Sequence, residues 1–203
     1  MLRLLTTIAF TTAAVGSLAA QAKVEITPTV GLYLPSANIV DQYGGGCGCQ
    51  VSVNQEQAFL LGVRLTVWAT RNLGLETSLA TIGSGVHVVE AGVGSGDTTG
   101  TVDIISERVV WGFWHPNPTS TVYLAGGLAF ITHSSPAYEG LSGTNNTGAG
   151  AGVGVRLGLG SSLTFKAEGE EYFYTAQFTA QGQQTEARHQ TDKLITIGLA
   201  IGL

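Results

Sequence analysis

The chain has 203 residues, enough for one domain, with 9 Lys plus Arg against 14 Asp plus Glu and a formal net charge of −5. Charged residues make up only 11%, against roughly 25% in an average soluble protein. This acidic, charge-poor balance excludes a broadly basic nucleic-acid surface, and no nucleic-acid-binding motif occurs, so no nucleic acid is expected as a partner.

Residues 1–22 read as a signal peptide. Arg3 supplies the positive start, the stretch 4–18 is largely apolar, and Ala20, Gln21 and Ala22 fit small-x-small cleavage. Four threonines, Thr6, Thr7, Thr11 and Thr12, interrupt this stretch and argue against a membrane helix. The functional domain is then residues 23–203, outside the cytoplasm. It contains no further apolar run of about 18 residues, so it cannot cross a bilayer as a helix, and a closed β-barrel is the only other spanning structure.

Period-two alternation supports that alternative in chain order. A first strand is expected at 24–34. At 59–69, Phe59, Leu61, Val63, Leu65 and Val67 oppose Gly62, Arg64 and Thr66, which sets Arg64 inward. From 73, Leu75, Thr77 and Leu79 oppose Glu76 and Ser78; a fourth strand is expected at 102–114. At 122–130, Val122, Leu124, Leu128 and Phe130 oppose Tyr123, Ala125, Gly127 and Ala129. The stretch GAGAGVGVRLGLG at 148–160 puts Ala, Val and Leu on one face and Gly plus Arg156 on the other. It misses the third glycine of a G-x-G-x-x-G phosphate loop, and a flexible linker would not alternate so strictly. Strands at 163–174 and 195–203 complete eight.

Short turns at 70–72, 115–120 and 160–162 alternate with long polar loops at about 35–56, 83–100, 134–147 and 177–190. That is the plan of an all-β, eight-stranded antiparallel up-and-down transmembrane β-barrel, preceded by a signal peptide, with both ends on the short-turn side. Aromatic residues sort toward two rims. Trp68, Trp111, Phe113, Trp114 and Phe165 fall near the short turns, and Phe59, Phe130, Phe173 and Tyr174 near the long loops, as two interfacial girdles would require. A lipocalin-like soluble barrel would invert the pattern, placing apolar residues inside.

Arg64, Glu76, Arg156, Lys166, Glu168 and Glu170 share the inner face, where charges are tolerable only if paired. A lumenal network of Arg64, Glu76, Arg156 and Glu168 is expected, closing a lumen that eight strands leave barely wide enough for side chains. Adjacent Glu107 and Arg108 break the alternation, and a β-bulge near 106–108 would turn both inward.

The stretch GAGAGVGVRLGLGSSLTFKAEGEEYFYTAQF, followed by KLITIGLAIGL, resembles the end of small OmpA-type outer-membrane β-barrels, over roughly the last third of the chain. The resemblance implies bacterial outer-membrane localisation, a structural or surface role, sometimes porin-like, and lipid or lipopolysaccharide contact. It also implies handling by the barrel-assembly machinery. Glu168, Glu170, Tyr172 and Tyr174 stand where the family has an inward acidic-aromatic pattern. The terminal Leu203 departs from the family's usual aromatic end.

The expected function is a non-enzymatic outer-membrane barrel with four long extracellular loops, suited to adhesion or small-solute contact, with no cofactor and an unnamed extracellular ligand. The alternative is a rim hydrolase acting on lipid A through His133 and Ser135, but a nucleophile and base need an orienting third group, and Pro136 replaces the asparagine of such enzymes. No G-x-S-x-G elbow occurs. Alternation splits Glu171 outward from Glu168 and Glu170, against a carboxylate pair for glycoside hydrolysis. Cys47 and Cys49 in the first long loop could form a small strained disulfide or remain loop thiols. A soft-metal site with His87, His133 or His189 is the third option, although C-x-C lacks a second ligand pair and no metal site is expected.

Overall fold

A computed structural model describes residues 23–35, 39–43, 50–90, 94–134, 136–139, 141–180 and 183–203. The expected signal peptide, Cys47, Cys49 and Ser135 lie outside the described residues.

Eight long strands follow one another: β1 (Lys23–Leu34), β2 (Ala58–Trp68), β3 (Leu73–Glu90), β4 (Gly94–Asn117), β5 (Ser120–Ser134), β6 (Asn145–Gly158), β7 (Leu163–Ala176) and β8 (Arg188–Gly202). Each pairs antiparallel with its neighbours in sequence, and β1 also pairs with β8, so the ring closes and no long edge is left for stray pairing. The stagger of the ring can be followed through the register. From Tyr33 the pairings pass through Leu194, Glu170, Gly152, Ala125, Val110, Gly74 and Trp68 and return to β1 at Lys23, ten residues from the start. Closing a barrel requires such a stagger, and it tilts the strands by roughly 35–45°.

Alternation decides which side chains face out. Ile26, Val30, Leu61, Val63, Leu75, Leu124, Val153, Ile195, Ile197 and Leu199 form an exposed apolar belt, while Thr27, Arg64, Glu76, Ser106, Lys166 and Thr196 are buried inside. This is the reverse of a soluble barrel, and only hydrocarbon makes such a surface favourable. Among the described residues no helix is long and apolar enough to cross a membrane.

Several expectations need correction. Trp68 is only 5% exposed and faces the lumen, because it shares the parity of Arg64 and Thr66. Tyr174 is likewise buried inside, on the same face as Glu168. Trp111, Trp114, Phe59, Phe130 and Phe173 are all exposed outward. No bulge occurs at 106–108, where the register runs unbroken. The irregularities lie instead between Gly112 and Trp114 and between Trp114 and Asn117. Arg108 is therefore buried in the lumen, and Glu107 stays on the outer face, where it accepts a hydrogen bond from Thr77 Oγ1 at 2.8 Å.

Residues 83–90 and 94–100, expected as loop, continue the β3–β4 ladder, paired residue by residue to Glu90 and Gly94, because Gly, Ser and Thr are compatible with extended backbone above the belt. A short hairpin, Val40–Tyr43 with Gln50–Gln55, docks on its β3 side. Across the mouth, a 3-10 turn (Pro136–Tyr138) and short strands at Leu141–Ser142, Thr179–Ala180 and Gln183–Gln184 fold over the barrel, with Tyr138 and Phe178 buried.

Candidate functional site: a charged cluster across the lumen

The lumen is filled in three layers. In the middle one, β7 contributes Lys166, Glu168 and Glu170 at alternate positions, β2 contributes Arg64, β3 Glu76 and β4 Arg108, all of them buried. Arg64 donates to Glu168 Oε2, to Glu170 Oε1 and, at 2.8 Å, to Thr196 Oγ1. Arg108 donates to Glu168 Oε1 and Glu170 Oε2, each at 2.8 Å, and to Glu76 Oε1 at 2.5 Å. Lys166 Nζ donates to Glu76 Oε2 at 2.8 Å. Hydroxyls complete the shell: Tyr123 donates to Glu168 at 2.8 Å, Tyr172 to Glu170 at 2.6 Å and Thr66 to Glu76 at 2.7 Å.

Three cations thus neutralise three carboxylates, and each carboxylate accepts several charge-assisted bonds, the condition under which buried ions are tolerated. The gap lined by Thr27, Thr29, Lys166 and Thr196 beside the cluster is too tight to admit a water molecule. The cluster holds no free nucleophile and no unpaired carboxylate, and the one unmet group among its charged side chains is Arg108 Nε, which is buried without a partner.

The bare inner face of β6 makes room for this packing. A Cβ at Gly150 would lie 2.9 Å from the Tyr172 ring, and one at Gly154 only 2.4 Å from that of Tyr123. At Gly152 it would meet the Glu168 carboxylate at 2.6 Å.

Toward the short turns, Glu25 accepts from Arg156 Nη2 at 2.5 Å and from Trp68 Nε1 at 3.0 Å, and the Arg156 guanidinium lies 4.2 Å from the centre of the Trp68 ring. Arg156 is therefore separate from the middle cluster that holds Arg64, Glu76 and Glu168. Toward the loops the lumen turns apolar, filled by Tyr33, Leu60, Ile82, Val102, Ile104 and Ile131. Its main charge there is Asp192, which accepts from Tyr33 at 2.7 Å and Tyr174 at 2.8 Å.

His133 sits in this upper layer above Phe130, where the outward neighbours Thr132 and Ser134 are polar. It is 1% exposed and ringed by Tyr138, Tyr174 and Phe178 at centroid distances of 5.2, 6.0 and 5.8 Å. Burial pushes its imidazole down to about 4 and pushes the Tyr138 phenol up. His87, on the outer face of the β3–β4 hairpin, is paired with Asp97 at 2.5 Å, and His189 lies outward on β8 beside Thr175. Among the described residues no group of three or more metal-ligating side chains converges.

Sequence reasoning placed Arg64, Glu76 and Glu168 on the inner face but left Arg108 out of the network, because its neighbour Glu107 made strict alternation look too costly. It also left out Glu25, whose partner Arg156 was assigned to the wrong layer.

No sequence-family profile matches the chain, and no curated protein matches it. Its fold is similar to those of many solved outer-membrane proteins, and three of them show the extent of the match. The outer membrane protein OprG from Pseudomonas aeruginosa superimposes with a TM-score of 0.66 at 14% identity, covering 90% of this chain and 96% of that one. Outer Membrane Protein W of E. coli gives 0.53 at 16% identity over 91% and 100%. Neisserial surface protein A gives 0.52 at 12% identity over 89% and 96%. The fold is that of the small eight-stranded outer-membrane β-barrels.

Proposed function

We propose that this chain is an integral β-barrel of the bacterial outer membrane. In this reading residues 1–22 serve as its signal peptide, the barrel-assembly machinery inserts it, and its role is structural or at the cell surface rather than catalytic. The reading is carried by the paired charges of the lumen: the Arg64–Arg108–Lys166 and Glu76–Glu168–Glu170 cluster crosses it, and the gap beside the cluster is too tight for a water molecule. A passage for ions or hydrophilic solutes would need open polar space at that level.

The lipid A hydrolase alternative finds no support in the geometry of its base. His133 is 1% exposed among aromatic rings, its Nε2 3.5 Å from the Tyr174 hydroxyl.

Membrane fractionation, with gel mobility before and after boiling, tests the architecture. A compact unboiled form in the outer-membrane fraction is expected, and a water-soluble monomer would overturn the proposal. Planar-bilayer recording tests the occlusion. Wild-type protein is expected to give no stable large steps, and such steps would refute the closed lumen.

A further inference from the structure

We infer that the connections on the long-loop side form a single lid, latched onto the buried carboxylate of Asp192 through a one-way relay of hydrogen bonds that runs from Tyr138 through Gln55 and Tyr33. The mouth of the barrel is then held shut from one residue of its wall, and the loops move together rather than as four independent arms.

The parts come from separate places in the chain. Asp192 is on β8 and Tyr33 on β1, while Gln55 ends the hairpin docked in the β1–β2 connection and Tyr138 lies in the 3-10 turn between β5 and β6. Each of these side chains is 9% exposed or less. Phe178, from the β7–β8 connection, packs on Tyr138 with ring centres 5.8 Å apart, and the residues after it pair with the β5–β6 connection through Thr179–Ser142 and Ala180–Leu141. The β3–β4 hairpin supplies the seat, since a Cβ at Gly100 would lie only 2.8 Å from the Tyr138 ring. Tyr138 is therefore the point at which all four connections meet.

Proton counting sets the direction of the relay. The Tyr33 hydroxyl lies 2.7 Å from Asp192 Oδ2 and 2.9 Å from the side-chain amide of Gln55. A phenol has one proton, and a carboxylate outcompetes an amide for it. Gln55 then has to meet the Tyr33 oxygen with an N–H. With its carbonyl on that side instead, Gln55 Nε2 and the neighbouring Tyr138 hydroxyl would both stay buried without a partner. Turning the amide over leaves its shape almost unchanged and serves both groups at once: Nε2 donates to Tyr33, and Oε1 accepts from Tyr138. Every proton in the relay then points toward Asp192, which also accepts from Tyr174 at 2.8 Å. Bonds aligned in this way polarise one another, so breaking an inner link weakens the outer ones.

Hydrogen–deuterium exchange, read by mass spectrometry on the full chain in micelles, tests the latch. In Asp192→Asn and in Tyr33→Phe, the peptides covering Tyr138 and Phe178 are expected to exchange at least about tenfold faster than in wild type, the effect of losing one hydrogen bond to a charged group. Amides in the middle of β2 and β7 should keep their wild-type rates. Tyr172→Phe removes an equally buried hydroxyl from the middle cluster and should leave both lid peptides unchanged. Unchanged lid peptides in Asp192→Asn and Tyr33→Phe would overturn the latch, as would equal acceleration in Tyr172→Phe. Tyr33→Phe loses a single oxygen and carries the test alone should Asp192→Asn fail to give the compact unboiled form.

Discussion

Arg64 and Arg108, on β2 and β4, reach the same two carboxylates of β7, Glu168 and Glu170, from opposite directions. β3 stands between the two arginines and adds Glu76 to the fork of Arg108. The middle of the lumen is thereby tied across four strands by side chains as well as around its circumference by backbone.

Arg108 hydrogen-bonds all three carboxylates of the cluster, so removing it strands several buried charges. Arg108→Ala is expected to destabilise the barrel by about 3–5 kcal/mol in denaturant titration in micelles. Adding Glu76→Gln should recover part of the loss, because one uncompensated carboxylate disappears. A single variant within about 1 kcal/mol of wild type would contradict the cluster.

Gly154 faces the Tyr123 ring at a distance no Cβ can occupy. Gly154→Val should lower stability by about 1–3 kcal/mol or abolish the compact unboiled form. Val153→Ile, one residue away but outward and 52% exposed, should change little. Similar effects at both positions would mean that the assigned faces are wrong.

Glu107 lies on the outer face between Ile105 and Val109, held by Thr77 but otherwise turned to hydrocarbon. A carboxylate there is a liability somewhat smaller than the roughly 2–4 kcal/mol of a midplane Arg or Lys. Glu107→Leu is therefore expected to stabilise the protein in bilayers by about 1 kcal/mol or more, read from unfolding in lipid vesicles. Loss of stability would show that the carboxylate has an unrecognised partner.

His133 is neutral in the folded protein down to about pH 4, whereas an unfolded imidazole takes up a proton near 6.5. Its contribution is complete above about 6.5 and is lost as the pH falls through 4, for a total of about 3 kcal/mol. The unfolding midpoint should drop more steeply between pH 7 and 4.5 in wild type than in His133→Phe. Parallel curves for the two proteins would exclude the buried neutral imidazole.

Much of this was legible in the chain. Strand count, closure and facing follow from period-two alternation, and the glycines of β6 marked where a face is crowded from across the lumen. Trp68 was misplaced by residue type although its parity with Arg64 already gave the answer, since tryptophan suits a membrane interface and an indole–guanidinium stack equally well. Glu107 was misplaced by an energetic objection to a lipid-facing charge. The register resolves it the other way, with Arg108 inward and Glu107 accepting the exposure. The apolar upper lumen escaped notice because Leu60, Ile82 and Val102 stand at the ends of the expected strands, beside stretches whose polar composition reads as loop although β3 and β4 continue through them. Which cation meets which carboxylate depends on the stagger of distant strands, and no local pattern encodes it.

The ten-residue walk from Tyr33 back to Lys23 also limits how such a chain can change in length. Dropping or adding one residue inside a strand would turn the remainder of that strand over, pointing its carboxylates and guanidiniums at acyl chains, and would leave the last pairing of the circuit out of step. Length changes are admissible in the loops, whereas within the wall they must come in twos and be matched by a neighbour, so drift in this protein should accumulate almost wholly above the membrane.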